Sequence, residues 1–196
     1  SMSKLMTVYM ILERLQDGQL SLDDTFSVSE NAWRKGGAKS GSSTMFLNPG
    51  SRVRIEDLLR GIIVQSGNDA SIVIAESLSG SEEQFALEMN LRARKLGLEQ
   101  THFVNATGWP DPEHRTTARD LARLAKRTIT DFPQYHHYYA EKTFTYNGIR
   151  QGNRNPLLYK DLGADGMKTG HTQESGYGLV ATVKRGERRL ILVING

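Results

Sequence analysis

The segment Tyr177-Gly178-Leu179-Val180-Ala181-Thr182-Val183, followed by Lys184-Arg185-Gly186-Glu187-Arg188 and then by Leu190-Ile191-Leu192-Val193-Ile194, decides the fold class. Two apolar runs joined by a short charged stretch with a glycine read as an antiparallel hairpin. Upstream, Thr143-Phe144-Thr145-Tyr146-Asn147-Gly148-Ile149 carries the Asn-Gly signature of another. Everything before these hairpins is helical in pattern or loop-like. Strands gather at the end and helices in the middle, without βαβ alternation, which places the chain in the α+β class.

Toward the start, Leu5, Met6, Val8, Tyr9, Met10, Ile11, Leu12 and Leu15 cover nearly the whole circumference of one helix. A helix apolar all round is a buried one, and Gly18 is its expected stop. Residues 19–53 are rich in Ser, Gly and Asn and read as loop, with Lys35 to Ser43 as a long exposed stretch. Ile55, Leu58, Leu59, Ile62 and Ile63 return to helical spacing. That run breaks at Ser66-Gly67-Asn68, and Asp69 is the expected cap of a further helix through Ile72, Ile74 and Leu78. Ser81-Glu82-Glu83-Gln84 opens a helix ending near Gly97. Thr117 to Asp120 opens another, stopping before Pro133.

Composition narrows the chemistry. The 196 residues include no cysteine, which removes a disulfide framework, a thiol nucleophile and thiolate-bound metals. Net charge is only +3, far from the clustered basic footprint of a nucleic-acid binder. No apolar run approaches the ~18 residues of a spanning helix. Hydroxyls, amines, imidazoles and carboxylates remain.

In Ser1-Met2-Ser3-Lys4, residues i and i+3 share one helix face, so the Lys4 amine can reach the Ser1 hydroxyl. A helix N-terminus and a low-dielectric setting both depress a lysine pKa. A neutral amine beside a hydroxyl is a nucleophile with its base. With 15 Ser and 9 Lys that spacing arises by chance roughly 0.7 times. Ser66-Gly67-Asn68 and Lys168-Thr169-Gly170 are rarer, at about 0.06 chance occurrences each, and all three in this order are an accident of roughly one in a thousand.

Together with Gln65 to Ala70, Phe144 to Gln151, Asn153-Arg154-Asn155 and Asp165 to Gly170, this set resembles the penicillin-recognising serine acyl-enzymes. More narrowly, it resembles the low-molecular-mass D-alanyl-D-alanine carboxypeptidases. The resemblance implies a β-lactamase/penicillin-binding transpeptidase-like fold, an antiparallel sheet flanked by helices in three αβα layers. It also implies that residues 1–196 are a partial catalytic domain continuing at both ends. Catalytic roles would fall to Ser1 as nucleophile, Lys4 as its base, Ser66 as proton relay to the leaving amine, Lys168 as positive charge near the Ser66 hydroxyl and the terminal carboxylate, and Asn68 on the substrate amide and Lys4. Gly67, Thr169, Gly170, His171 and Arg154 would line the substrate, with Gly170 admitting its backbone. The main-chain N–H groups of Ser1 and His171 would form the oxyanion hole. No cofactor and no metal are implied. The implied partners are D-Ala-D-Ala stem peptides of peptidoglycan and β-lactams as covalent inhibitors, on the bacterial periplasmic or outer face of the cytoplasmic membrane, with any membrane contact through a segment outside these residues.

Alternatives stay open at this point. A β-lactamase shares the three motifs, but its best-known class aims water with a Glu-x-x-Leu-Asn segment, and none lies between Asn68 and Lys168. A DD-endopeptidase, an N-terminal nucleophile hydrolase using the Ser1 α-amine, and a penicillin-sensing module without turnover also fit. Arg115, Arg119, Arg123 and Arg127 read as a solvated basic stripe. His136-His137 reads as loop filler, since no third metal ligand follows at a recognisable spacing. Gly36 to Ser43 is expected to overhang the Ser1 cleft, as the resemblance implies.

Overall fold

The computed structural model describes residues 1–196. In chain order it contains α1 (Lys4–Gln16), β1 (Thr25–Ser27), α2 (Glu30–Gly36), β2 (Arg52–Arg54), α3 (Ile55–Gln65), α4 (Asn68–Ser79), α5 (Glu82–Lys95) and α6 (Ala118–Asp131). The strands β3 (Thr143–Tyr146), β4 (Ile149–Gly152), β5 (Ala164–Thr172), β6 (Gly176–Arg185) and β7 (Arg188–Asn195) follow. α1 is buried without interruption from Lys4 to Leu12 and packs against α3, α4, α5 and α6. Its all-round apolarity is what a central helix needs, because every face meets another element. Gly18 and Gly97, both at positive φ, stand just beyond α1 and α5 as expected of helix stops.

β5, β6 and β7 form one antiparallel sheet in that order, and α6 packs against β6 and β7. Along β7, Ile191 and Val193 turn to the core while Leu190, Leu192 and Ile194 face outward. The expected α+β arrangement of antiparallel sheet and flanking helices is therefore present. The β6–β7 hairpin is longer than its apolar runs: Arg185 pairs with Arg188 across a turn of Gly186-Glu187. Charged residues suit a ladder whose tip is in solvent, so apolarity understated the strands. β3 and β4 pair around Asn147-Gly148, both at positive φ, the geometry an Asn-Gly hairpin demands.

Residues 19–53 correct the loop reading. β1 pairs with β2 in register Thr25↔Arg54, and Ser29 caps α2 by accepting from the Ala32 N–H at 2.9 Å. Ala38–Ser40 adds a 3-10 turn. Three-residue strands and a seven-residue helix are too short to show a period. Gly36 is buried rather than exposed, since a Cβ there would lie 2.3 Å from the Asp69 nitrogen. Asp69 is not a cap either: α4 already begins at Asn68, and the Asp69 carboxylate turns inward.

Candidate active site

Three elements converge on Ser1: the first turn of α1, the α3–α4 junction and β5. Ser66 ends α3 in the left-handed region (φ 55), a conformation costing of order 1–3 kcal/mol for a non-glycine residue. That turn brings the Ser66 hydroxyl within 3.4 Å of Ser1 Oγ. From β5, Lys168 Nζ donates to Ser66 Oγ at 3.0 Å and to the Thr169 carbonyl at 2.8 Å. Ser1, Ser66 and Lys168 thus form one hydrogen-bonded chain.

Lys4 lies beside this chain, fully buried, with its ammonium donating to the Thr107 carbonyl at 2.7 Å. No hydrogen bond joins it to Asn68 or to the Ser1 hydroxyl, contrary to expectation; Ser1 Oγ is bonded to Ser66 instead. Asn68 Nδ2 donates instead to Ser42 Oγ at 3.0 Å, and its Oδ1 is buried without a partner. Burial, reinforced by the charge of Arg154 and opposed by Asp69, lowers the Lys4 pKa to about 7. Burial, then Lys4 and Arg154, holds the Lys168 amine well below the usual lysine range.

Arg154 donates to Ser43 Oγ at 2.6 Å, forms no salt bridge, and borders a cleft of about 480 Å³ with Ser1, Ser66, Thr169 and His171. A guanidinium without a carboxylate partner at the edge of this cleft suits an anionic group. His171 lines the same cleft, its ring 4.2 Å from that of Tyr177. The Ser1 nitrogen donates to the Gly108 carbonyl at 3.1 Å.

Gly170 lines the cleft as expected and also packs closely. A Cβ on Gly170 would meet Met2 Cγ at 2.9 Å and Ser1 Cβ at 3.2 Å, so this glycine lets β5 close onto the start of α1. Gly178, its partner across the β5–β6 ladder, makes room for the Met2 side chain in the same way. Gly67 lines neither this cleft nor the one beside Asn68; it carries the chain through the junction, where its N–H donates to the Gly61 carbonyl at 3.0 Å.

Several residues that shape the site carry no motif. Asp69 accepts from Thr44 Oγ1 (2.7 Å), the Met45 N–H (3.0 Å), the Leu47 N–H (3.0 Å) and the Ala70 N–H (2.9 Å). It thereby fastens the segment whose Gly41, Ser42 and Ser43 border the Ser1 cleft, where the overhanging loop was expected. Asn155 Nδ2 holds the Gly166 carbonyl at 2.8 Å, two residues before Lys168. Carbonyls of residues 106–108 receive Thr7, Lys4 and Ser1. A carboxylate directly after Ser-x-Asn and before an apolar helix, and the turn-rich run Asn105 to Pro112, are the signals that could have revealed them. Away from the site, Arg119, Arg123 and Arg127 are exposed along α6. His136 is not filler: its Nε2 lies 3.2 Å from Asp165, which also binds Arg189.

Over residues 1–196 the sequence matches the family described as D-alanyl-D-alanine carboxypeptidase. It is 46% identical over 198 residues to D-alanyl-D-alanine carboxypeptidase DacC of Escherichia coli, an alignment covering 100% of this chain and 50% of that protein. Penicillin binding protein 5 from Haemophilus influenzae superposes with a TM-score of 0.94 at 41% identity, over 99% of this chain and 56% of that one. A penicillin-binding protein from Listeria monocytogenes, in its ampicillin-bound form, superposes with a TM-score of 0.81 at 30% identity, over 100% of this chain and 78% of that one. The chain spans about half the length of the curated relatives it matches. With the three motifs gathered around one hydroxyl and the match running the whole length, the chain belongs to the D-alanyl-D-alanine carboxypeptidase family of penicillin-binding proteins.

Proposed function

We propose that the chain carries the machinery of a serine D-alanyl-D-alanine carboxypeptidase, removing the terminal D-alanine of peptidoglycan stem peptides through a Ser1 acyl-enzyme. The observation that carries this reading is the Ser1–Ser66–Lys168 hydrogen-bonded chain beside a second buried lysine, with the unpaired guanidinium of Arg154 at the mouth. Lys4, poised near neutrality, takes the Ser1 proton. Ser1 Oγ attacks the carbonyl of the penultimate D-alanine. Ser66, hydrogen-bonded to Lys168, hands a proton to the departing amine, and water then hydrolyses the ester. The substrate carboxylate sits in the field of Lys168 and Arg154, within reach of the Thr169 hydroxyl. Asn68 Oδ1, an acceptor that costs about 1–3 kcal/mol unpaired, receives the substrate amide N–H. Ser1 and His171 line the clefts where an oxyanion would form, and their main-chain N–H groups are its proposed donors, the Ser1 group leaving the Gly108 carbonyl to serve. β5 is an edge of its sheet, open to an extended peptide added as a further strand.

The same site takes β-lactams as covalent inhibitors, and the ampicillin-bound Listeria neighbour supports this. Lacking a Glu-x-x-Leu-Asn segment, the acyl-enzyme with a β-lactam turns over slowly, so the chain acts as a target rather than a β-lactamase. Its substrate places it on the outer face of a bacterial cytoplasmic membrane; no helix of the structure is long and apolar enough to cross one. The test is D-alanine release from a pentapeptide ending in D-Ala-D-Ala. Release that disappears in Ser1→Ala supports the reading. No release by the intact protein overturns it in favour of a sensing module, and fast nitrocefin turnover overturns it in favour of a β-lactamase.

A further inference from the structure

The position of Lys4 depends on one carbonyl. Its ammonium donates only to Thr107, in a strap whose three successive carbonyls, Ala106, Thr107 and Gly108, accept from Thr7 Oγ1 (2.8 Å), Lys4 Nζ (2.7 Å) and the Ser1 nitrogen (3.1 Å). Where the strap rests therefore sets where the amine rests and how firmly its proton is held. The approach is close. Gly108 has φ 77, and a Cβ there would lie 2.5 Å from the Ser1 nitrogen and 2.6 Å from Ser3 Oγ. A shift of the strap is thus passed directly to Ser1.

On its outer side the strap is held by Asn90, which bonds the Phe103 main chain through both its amide atoms. On the side of α1 it is held by His114. The Val104 N–H donates to His114 Nδ1 at 3.1 Å, and His114 Nε2 lies 2.8 Å from Ser3 Oγ. An acceptor at Nδ1 puts the hydrogen of the neutral ring on Nε2, so the ring receives from the strap and donates to the residue before Lys4. Its edge packs on Phe103 with ring centroids 5.7 Å apart.

We propose that His114 is a positioning residue for acylation: it latches the 104–108 strap to the first turn of α1 and so fixes the carbonyl that orients Lys4. The latch requires a neutral ring, because a proton on Nδ1 would face the Val104 N–H. Burial pushes the His114 pKa down; Asp111 opposes this, while His102 and Lys4 add to it. These are the charged and titratable groups facing the ring, and the latch stays closed at neutral pH.

The test uses the intact protein and measures the rate of acylation by a β-lactam against pH, with thermal unfolding recorded in parallel. His114→Phe keeps the ring and its packing but removes both bonds. It is expected to slow acylation about tenfold and to move the acid limb of the profile, since a misplaced base costs rate steeply. His114→Asn restores an acceptor for Val104 and is expected to recover most of the rate. Ser3→Ala opens the other end of the latch and is expected to move the limb in the same direction, with a loss that does not add to that of His114→Phe. An unmoved acid limb in folded His114→Phe, or in Ser3→Ala where His114→Phe does not fold, overturns the proposal. So does a slowing that only follows lost stability. The inference rests on the acyl-enzyme reading: a wild-type protein that no β-lactam acylates defeats that reading, whereas normal acylation in the variants defeats only the latch.

Discussion

Replacing Asp69 by Asn tests how the site is assembled. Oδ2 accepts from Thr44 Oγ1 and the Leu47 N–H, and Oδ1 from the Met45 and Ala70 N–H groups, all inside the core. An asparagine has the same shape but one acceptor oxygen. If that oxygen keeps Met45 and Ala70, the new NH2 faces Thr44, whose hydroxyl can rotate to accept, and Leu47, whose N–H cannot. One buried N–H is then unpaired, at about 1–3 kcal/mol, and the remaining bonds lose their charge-assisted share. The sum is about 3 kcal/mol, which for a chain of this size lowers Tm by roughly 6–12 °C. Because the 44–47 segment leads from Ser42 and Ser43, which meet Asn68 and Arg154, acylation by a fluorescent penicillin should slow as well. Thermal unfolding and stopped-flow acylation of the same preparation read both effects. A Tm within about 2 °C of wild type, equivalent to about 0.5–1 kcal/mol, with an unchanged rate would refute the claim that Asp69 supports the cleft wall.

Other perturbations separate the roles of individual groups. With Lys4 lowered to about 7, acylation should rise with pH through about 7 and the limb should vanish in Lys4→Ala, followed by mass spectrometry. Because the folded pKa lies below the ordinary 10.5, the unfolded chain binds more protons between those values, so the Lys4 contribution to stability should grow as pH rises from about 7; Lys4→Met should flatten that slope in urea titrations. Arg154→Gln should raise KM about tenfold for a peptide ending in a free carboxylate and leave its carboxamide analogue unaffected; equal effects on both would remove Arg154 from carboxylate recognition. Gly170→Ala should cost about 1–3 kcal/mol and most of the acylation rate, since its Cβ meets the Met2 backbone nitrogen at 3.1 Å and Ser1 Cβ at 3.2 Å. Gly178→Ala should be milder, because the atoms its Cβ crowds are the flexible tip of Met2, with the Ile194 carbonyl at an ordinary 3.5 Å, and the reverse order would contradict the packing described.

What was legible in the sequence had either a period or a rare spacing. α1 declared itself through its apolar circumference, α5 and α6 through their caps, and the two hairpins through alternation and Asn-Gly. The reacting groups stood in three tripeptide-scale motifs, and the structure brings Ser1, Ser66 and Lys168 into one hydrogen-bonded chain. What was illegible depends on contacts between residues far apart in the chain. Gly170 was read as room for substrate, and it does line the cleft, but its tight packing on Met2 and Ser1 was not visible in the sequence. Asp69 looked like a helix cap because caps are local, while its real partners lie 22 to 25 residues earlier. Asn68 was expected on Lys4, but Thr107, 103 residues from Lys4, takes the ammonium first. The short elements between residues 19 and 53 are held by tertiary pairing rather than by their own periodicity, so no local pattern could have located them.

The central claim is that Ser1, activated by a buried lysine, is the residue acylated. Intact mass and peptide mapping of the intact protein after exposure to benzylpenicillin test it directly. The account predicts a single penicilloyl adduct on the Ser1 peptide that is absent in both Ser1→Ala and Lys4→Ala. An adduct on another residue, or full acylation of Ser1 in Lys4→Ala, would contradict it.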